Sequence, residues 1–359
     1  MQMQSNKLNF EGQNIYIGID VHKKDWTVCV LSERLEHKKF TQPPTAKALK
    51  SYLDRNFPGA NYFSVYEAGF CGFHVHWSLL SVGIKNIVVN AADVPTTHKE
   101  KANKTDARDS RKLGRSLRGG ELTGIHVPAR KTQEDRSLVR MRHAVGKDLT
   151  RLKVRTKSLL NFYGIEHPEE FSSSGRHWSK RRMQWLATAP MEEDSGRFAL
   201  RTLISEVEEM RKIQLSVTRQ IRNLSKTEAY GKDYDLISGI PGIGLITGMT
   251  FLTEIEDINR FSSADNLASF VGLIPFCNNS GEKENDGEIT SRAHKRMRSM
   301  IVESAWAAAR IDPALHLSFC NLCKRMEPNK AIIRIARKLL NRTYYVLRTK
   351  KEYACGIVK

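Results

Sequence analysis

Nowhere in this chain do apolar residues run on for the roughly 18–20 positions that a membrane span needs, and the opening MQMQSNKLNF has no apolar core of the secretory kind. Those two absences make a cytoplasmic protein the expectation. Acidic residues are also short: 39 Asp and Glu stand against 58 Lys and Arg, a formal net charge of +19 with His neutral. That balance argues against a basic partner and for a polyanion, nucleic acid first and an anionic membrane second. Without a span the membrane falls away. Cysteine is sparse and unpatterned. Cys29, Cys71, Cys277, Cys320, Cys323 and Cys355 show no framework spacing and mostly sit among apolar residues, so a reduced protein is expected rather than a disulfide scaffold. Cys320 and Cys323 form a C-x-x-C pair with no second pair, inside a helix-like pattern of Leu315, Leu317, Phe319 and Leu322, which makes zinc the weaker reading.

The 359 residues leave room for two domains and a connection, since domains run to about 100–200 residues. The stretch that organises the rest is IYIGIDVHKKDWTVCV, residues 15–30. Its apolar start reads as a buried strand, Trp26 to Leu31 as a returning partner, and Val21 to Asp25 as the turn between them. Asp20 ends the first strand, where it is either a turn-former or a carboxylate paired with a cation or metal. A third strand over His37 to Thr41, a helix over Thr45 to Asn56 and a strand over Asn61 to Tyr66 ending in Glu67 come next. A helix over Phe73 to Val82 and a strand over Asn86 to Val89 complete the order β-β-β-α-β-α-β, which predicts a mixed sheet covered by helices.

Residues 97–120, THKEKANKTDARDSRKLGRSLRGG, put Asp106 and Asp109 three apart, on one side of a helix whose apolar face is Leu113 and Leu117. Lys104, Arg108, Arg111, Lys112 and Arg115 surround them, either as a solvated face with intrahelical ion pairs or as phosphate contacts. Four carboxylates converging on one point repel unless a divalent cation neutralises them, and Mg²⁺ with oxygen ligands is the usual answer. Two such ions about 4 Å apart activate a nucleophile and stabilise the leaving oxygen of a phosphodiester. Over residues 14 to about 120 this resembles the ribonuclease H-like fold of RuvC-type nucleases.

Residues 132–164 and 198–224 carry apolar residues at three-four spacing among many cations, which suits an antiparallel coiled-coil hairpin or a dimer seam. Between them, Trp178 and Trp185 interleave with Lys180, Arg181 and Arg182. That pattern suits base stacking and phosphate contact as well as a helical core. In LISGIPGIGLITGMTFLTEI, residues 236–255, the turn containing Gly242 and Gly244 looks like a helix-hairpin-helix that offers backbone N–H groups to a phosphate, or a plain interhelical turn. Farther on, Asn278-Asn279-Ser280-Gly281 is a polar turn, Glu282 to Gly287 a charged loop, and Arg292 to Arg310 a helix whose first half carries Arg292, Lys295 and Arg296. Ser280 in that turn can present its Oγ to a phosphate. A basic amphipathic helix over Lys330 to Leu347 follows.

The ordered set YIGIDVHKKDW, YEAGFCG, NKTDARDSRKLGR, a helical hairpin, LISGIPGIGLITG and GLIPFCNNSGEKENDGEIT is similar, over nearly the whole chain, to the transposases of the insertion sequence 110 family and their Piv-type invertase relatives. The resemblance implies an α/β plus all-α protein in three parts. These are a RuvC-like domain over 1–128, a helical coiled-coil region over 129–230, and a mainly helical transposase domain over 231–359. Carried onto this sequence, it implies Asp20, Glu67, Asp106 and Asp109 as the Mg²⁺-binding acidic set. Ser280 would be the nucleophile that forms a phosphoserine link to DNA. It further implies a homo-oligomer acting on donor and target DNA, with a structured bridge RNA as guide. Two departures stand out. Ser291-Arg292-Ala293-His294 replaces a Lys-x-Gly-Asn-like turn, which makes Ser291 the reserve nucleophile, and Ser110 stands where alanine is usual. The rivals are a metal-dependent junction nuclease that uses water, with Ser280 structural, and a non-catalytic nucleic-acid scaffold.

Overall fold

The computed structural model describes residues 10–96, 106–171, 178–277 and 286–355. It divides into two compact units, Met1–Val127 and Pro128–Lys359. Lys104 and Ser280 lie outside the described residues, as do Arg176 and His177 of the tryptophan-bearing segment.

The first unit is built on a five-stranded sheet in the order β3-β2-β1-β4-β5. Its strands are β1 (Asn14–Val21), β2 (Trp26–Ser32), β3 (Glu36–Gln42), β4 (Asn61–Glu67) and β5 (Lys85–Val89). β1 pairs antiparallel with β2 and parallel with β4, so the sheet is mixed, as the element order predicts. The two-residue period of a strand sorts β1 into two faces. Ile15, Ile17 and Ile19 point to a core shared with Leu49 and Leu53 of α1 (Ala46–Asn56) and Val75 and Leu79 of α2 (His74–Ser81). Gly18 and Asp20 belong to the opposite face, which is covered by α3 (Asp106–Arg118). There Leu113 packs with Val65, Val89 and Val94. The sheet is thus a middle layer between helices.

In the second unit, α4 (Arg130–Phe162) and α6 (Asp194–Leu224) lie side by side. Arg142 reaches Thr218, while Leu149, Leu152 and Leu160 share a core with Leu200, Ile204 and Val207. The partners of later α4 residues come earlier in α6, so the two run antiparallel. Trp178, together with Trp185, Met183 and Leu186 of α5 (Lys180–Ala187), packs into the same cluster. The remaining helices, α7 (Gly231–Ser238), α8 (Leu245–Ile255), α9 (Ala264–Val271), α10 (Lys295–Ile311), α11 (Pro313–Cys323) and α12 (Pro328–Thr349), enclose a second core. Val139 of α4 and Ile221 of α6 enter that core. Helix α10 starts at Lys295 rather than Arg292 because His294 caps it, its Nδ1 accepting from the Met297 N–H. A small antiparallel pair, β6 (Pro275–Cys277) and β7 (Asp286–Ile289), stands where the sequence suggests only loop. Segments this short show no period to read.

Candidate active site

Parallel pairing aligns β1 and β4 so that Ile19 faces Tyr66. The next residue on each strand is a carboxylate, Asp20 and Glu67, at the same end of neighbouring strands. Helix α3 delivers the other two, and a glycine contact sets how closely it does so. A Cβ on Gly18 would fall 1.9 Å from the Ser110 carbonyl and 2.4 Å from the Gly114 nitrogen. The helix backbone therefore lies directly on the strand, a close approach that only glycine permits. Ser110 is fully buried in that contact, so its small size matters as alanine's would. One helical turn before Ser110 stands Asp106, next to Asp20.

The charges of this corner are arranged in two pairs of carboxylates, each spanned by a basic side chain. His22 Nε2 lies 3.2 Å from Asp20 Oδ2 and 3.5 Å from Asp106 Oδ2. Lys112 Nζ lies 3.8 Å from Glu67 Oε1 and 3.9 Å from Asp109 Oδ1. The Asp20 carboxyl is pushed up from its ordinary value, first by burial and then by the facing charges of Asp106 and Asp109, with His22 opposing. Ligand atoms of Asp20, His22 and Asp106 all come within 4.8 Å of one another. Hard oxygen donors of like charge brought this close together suit a divalent cation such as Mg²⁺. His22, two residues after Asp20 and just past the end of β1, is not among the candidate residues that the sequence singles out. Of the two sequence readings for Lys112, intrahelical ion pair or phosphate contact, the structure shows the ion pair, with Asp109, and turns the side chain inward to Glu67 as well.

The remaining candidates are dispersed. Arg108 is exposed, while Arg111 and Arg115 both reach Glu36 of β3, at 2.6 and 3.6 Å. Arg182 is 1 % exposed, its guanidinium over the Trp178 ring, and so is a packing residue rather than a surface cation. Lys180 is exposed and Arg181 pairs with Glu170. Gly242, at φ +87°, sits against α10, where a Cβ would meet the Ser304 carbonyl at 2.2 Å. Its place is explained by helix packing, whereas Gly244 opens to free space at the start of α8. Arg292 and Lys295 are exposed, as is Ser291. Arg296 turns to Glu254, a residue the sequence reading passed over. The Glu254 side chain is only 2 % exposed and is met by Arg136, Arg140, Arg296 and His294 at 2.8 to 3.3 Å. Burial would raise its carboxyl, but hydrogen bonds from His294 and Arg140 and their charges prevail and hold it at about 2. Arg298 donates to the carbonyls of Gly272 and Thr290, and the His294 N–H donates to Phe270 O. The two ends of the stretch that contains Ser280 are therefore fastened to the second unit. Cys320 and Cys323 join no group of three metal-ligating side chains among the described residues.

A DEDD-type transposase family profile matches residues 17–165, and a profile described as the transposase IS116/IS110/IS902 family matches residues 234–319. A putative transposase of Sinorhizobium fredii is 28 % identical over 241 residues, 67 % of this chain and 57 % of that protein. The match thus spans little more than half of that relative's length. The transposase for insertion sequence element IS1533 of Leptospira borgpetersenii is 21 % identical over 306 residues, 82 % of this chain and 85 % of its own. The pilin gene-inverting protein of Moraxella bovis is 33 % identical over 124 residues, 33 % of this chain and 38 % of its own. With two profiles of one transposase family over residues 17–165 and 234–319 and full-breadth relatives among insertion-sequence transposases, the chain belongs to the IS110/IS116/IS902 family of transposases.

Proposed function

We propose that this protein cuts and rejoins DNA strands as the recombinase of an insertion sequence, using Ser280 as nucleophile and the acidic corner of the first unit as its cation site. The observation that carries this reading is the meeting of Asp20 with Asp106 across β1 and α3, with Glu67 and Asp109 beside them. In the first step the Ser280 Oγ bonds to phosphorus while one bond from phosphorus to a deoxyribose oxygen breaks. The serine proton is released and the departing oxygen gains one. A strand hydroxyl then attacks the phosphoserine, which restores both the diester and the serine. A divalent cation held in the corner formed by Asp20, Glu67, Asp106 and Asp109 would lower the proton affinity of the attacking hydroxyl and stabilise the leaving oxygen. Three further parts of the reading rest on the family resemblance: a structured bridge RNA that selects donor and target by base pairing, assembly as a homo-oligomer, and division of the second unit at about residue 230. Arg108, Lys180, Arg292, Lys295 and the open start of α8 at Gly244 are the surface groups that would grip phosphate backbone.

Trapping tests the serine step. Incubated with nicked donor DNA, the wild type should give a protein–DNA adduct that survives denaturation, and Ser280→Ala should give none while Ser291→Ala still does. If Ser280→Ala still cleaves and the wild type forms no adduct, the junction-nuclease reading replaces this one. If Asp20→Asn and Asp106→Asn keep every activity, the protein is a scaffold.

A further inference from the structure

Four carboxylates in one corner suggest a pair of divalent cations, yet the two halves of this corner are chemically unlike. On one side, Asp20 and Asp106 are joined by an imidazole, a group with a lone pair that can itself serve as a metal ligand. On the other, Glu67 and Asp109 are joined by an ammonium, which has three donors and no lone pair to give. The Lys112 side chain is only 13 % exposed, where lysines ordinarily reach solvent. Its Nζ faces three oxygens, Glu67 Oε1 at 3.8 Å, Asp109 Oδ1 at 3.9 Å and Thr96 Oγ1 at 3.4 Å. One hydrogen bond, to Thr96, and two ion-pair contacts, to Glu67 and Asp109, hold the largely buried amine between the carboxylates. Lys112 also follows Asp109 by one helical turn, so the close contact of α3 with β1 that seats Asp106 and Asp109 seats Lys112 as well.

We infer that Lys112 is a resident cation of the acidic corner, filling the half formed by Glu67 and Asp109, so that the corner takes a single divalent cation on the side of Asp20, His22 and Asp106. The inference rests on the cation reading proposed above and deepens it. A second divalent ion would have to expel a charge already in place beside both carboxylates. The lone ion would have two carboxylates and an imidazole for ligands, a set that suits Mn²⁺ at least as well as Mg²⁺.

Counting bound Mn²⁺ decides the matter, with no DNA and no turnover required. Full-length, metal-stripped protein is titrated with Mn²⁺ alone and the free ion is read by electron paramagnetic resonance. The wild type should bind one tight Mn²⁺ per chain, lost in Asp20→Asn and retained in Glu67→Gln. Lys112→Met, which keeps the length of the side chain and removes its charge, should bind two. Lys112→Arg, which keeps the charge, should bind one, and it serves as the control if Lys112→Met melts early. Two tight ions in the wild type overturn the inference and leave the cation reading intact. One ion in both wild type and Lys112→Met also overturns it, because Lys112 would then not be what excludes the second. No tight ion in the wild type overturns the cation reading itself, and this inference with it.

Discussion

The fold disfavours the charged form of Asp20. Burial and two facing aspartates all disfavour the carboxylate, and His22 offsets only part of this. Asp20→Asn should therefore leave the metal-free protein at least as stable as wild type in a thermal melt; under the proposed cation reading, Mg²⁺ should raise the melting temperature of the wild type but not of the variant, and the variant should lose strand exchange with DNA binding retained. Glu254 is the opposite case. Its folded pKa of about 2 lies below its ordinary value of 4.5, so its charge stabilises the fold. That contribution, about 3 kcal/mol from the size of the shift, is fully present above pH 4.5 and lost as pH falls through 4.5 toward 2. Glu254→Gln leaves Arg136, Arg140 and Arg296 without their shared carboxylate and should cost about 3–5 kcal/mol at pH 7. Urea unfolding at pH 7 and pH 3 checks this: the gap between variant and wild type should narrow in acid. A gap independent of pH would assign the loss to packing instead of charge.

Among the elements, α3 matters most, because its seat on β1 fixes the distance between strand and helix carboxylates. Gly18→Ala drives a Cβ into helix backbone, which cannot turn aside, whereas Gly114→Ala first meets the end of the flexible Leu31 side chain, at 2.5 Å. Overpacking of this kind costs about 1–3 kcal/mol. Gly18→Ala should lie at the upper end, lower the melting temperature more than Gly114→Ala, and weaken Mn²⁺ binding by separating Asp20 from Asp106. If the two variants melt alike, the glycine contact does not control the seat. The helices themselves are legible in the sequence wherever a period runs long enough: the spans 132–164, 198–224 and 330–347 correspond to helices at Arg130–Phe162, Asp194–Leu224 and Pro328–Thr349. The pair β6 and β7 is not, and neither is the burial of Arg182, since a cation in a basic run gives no sign that a tryptophan will cover it.

Across the whole molecule, the net charge of +19 has to answer to a polyanion. With about eight phosphate contacts, log affinity for DNA should fall against log salt with a slope of about −7. Binding measured over a salt series checks it, and a flat response would mean that the basic excess serves something other than nucleic acid. Element order and the mixed sheet followed from hydrophobic period and turn residues, which act over a few neighbours and are written along the chain. So did the four carboxylates, each marked by its place at a strand end or on a helix start. What the tertiary structure alone decided is how these groups face one another. The Gly18 contact, the His22 bridge, the inward turn of Lys112 and the clasp on Glu254 join residues from separate elements, up to 160 positions apart in the case of Arg136 and Arg296. Such meetings depend on how deeply one element settles on another, and local sequence does not encode that depth.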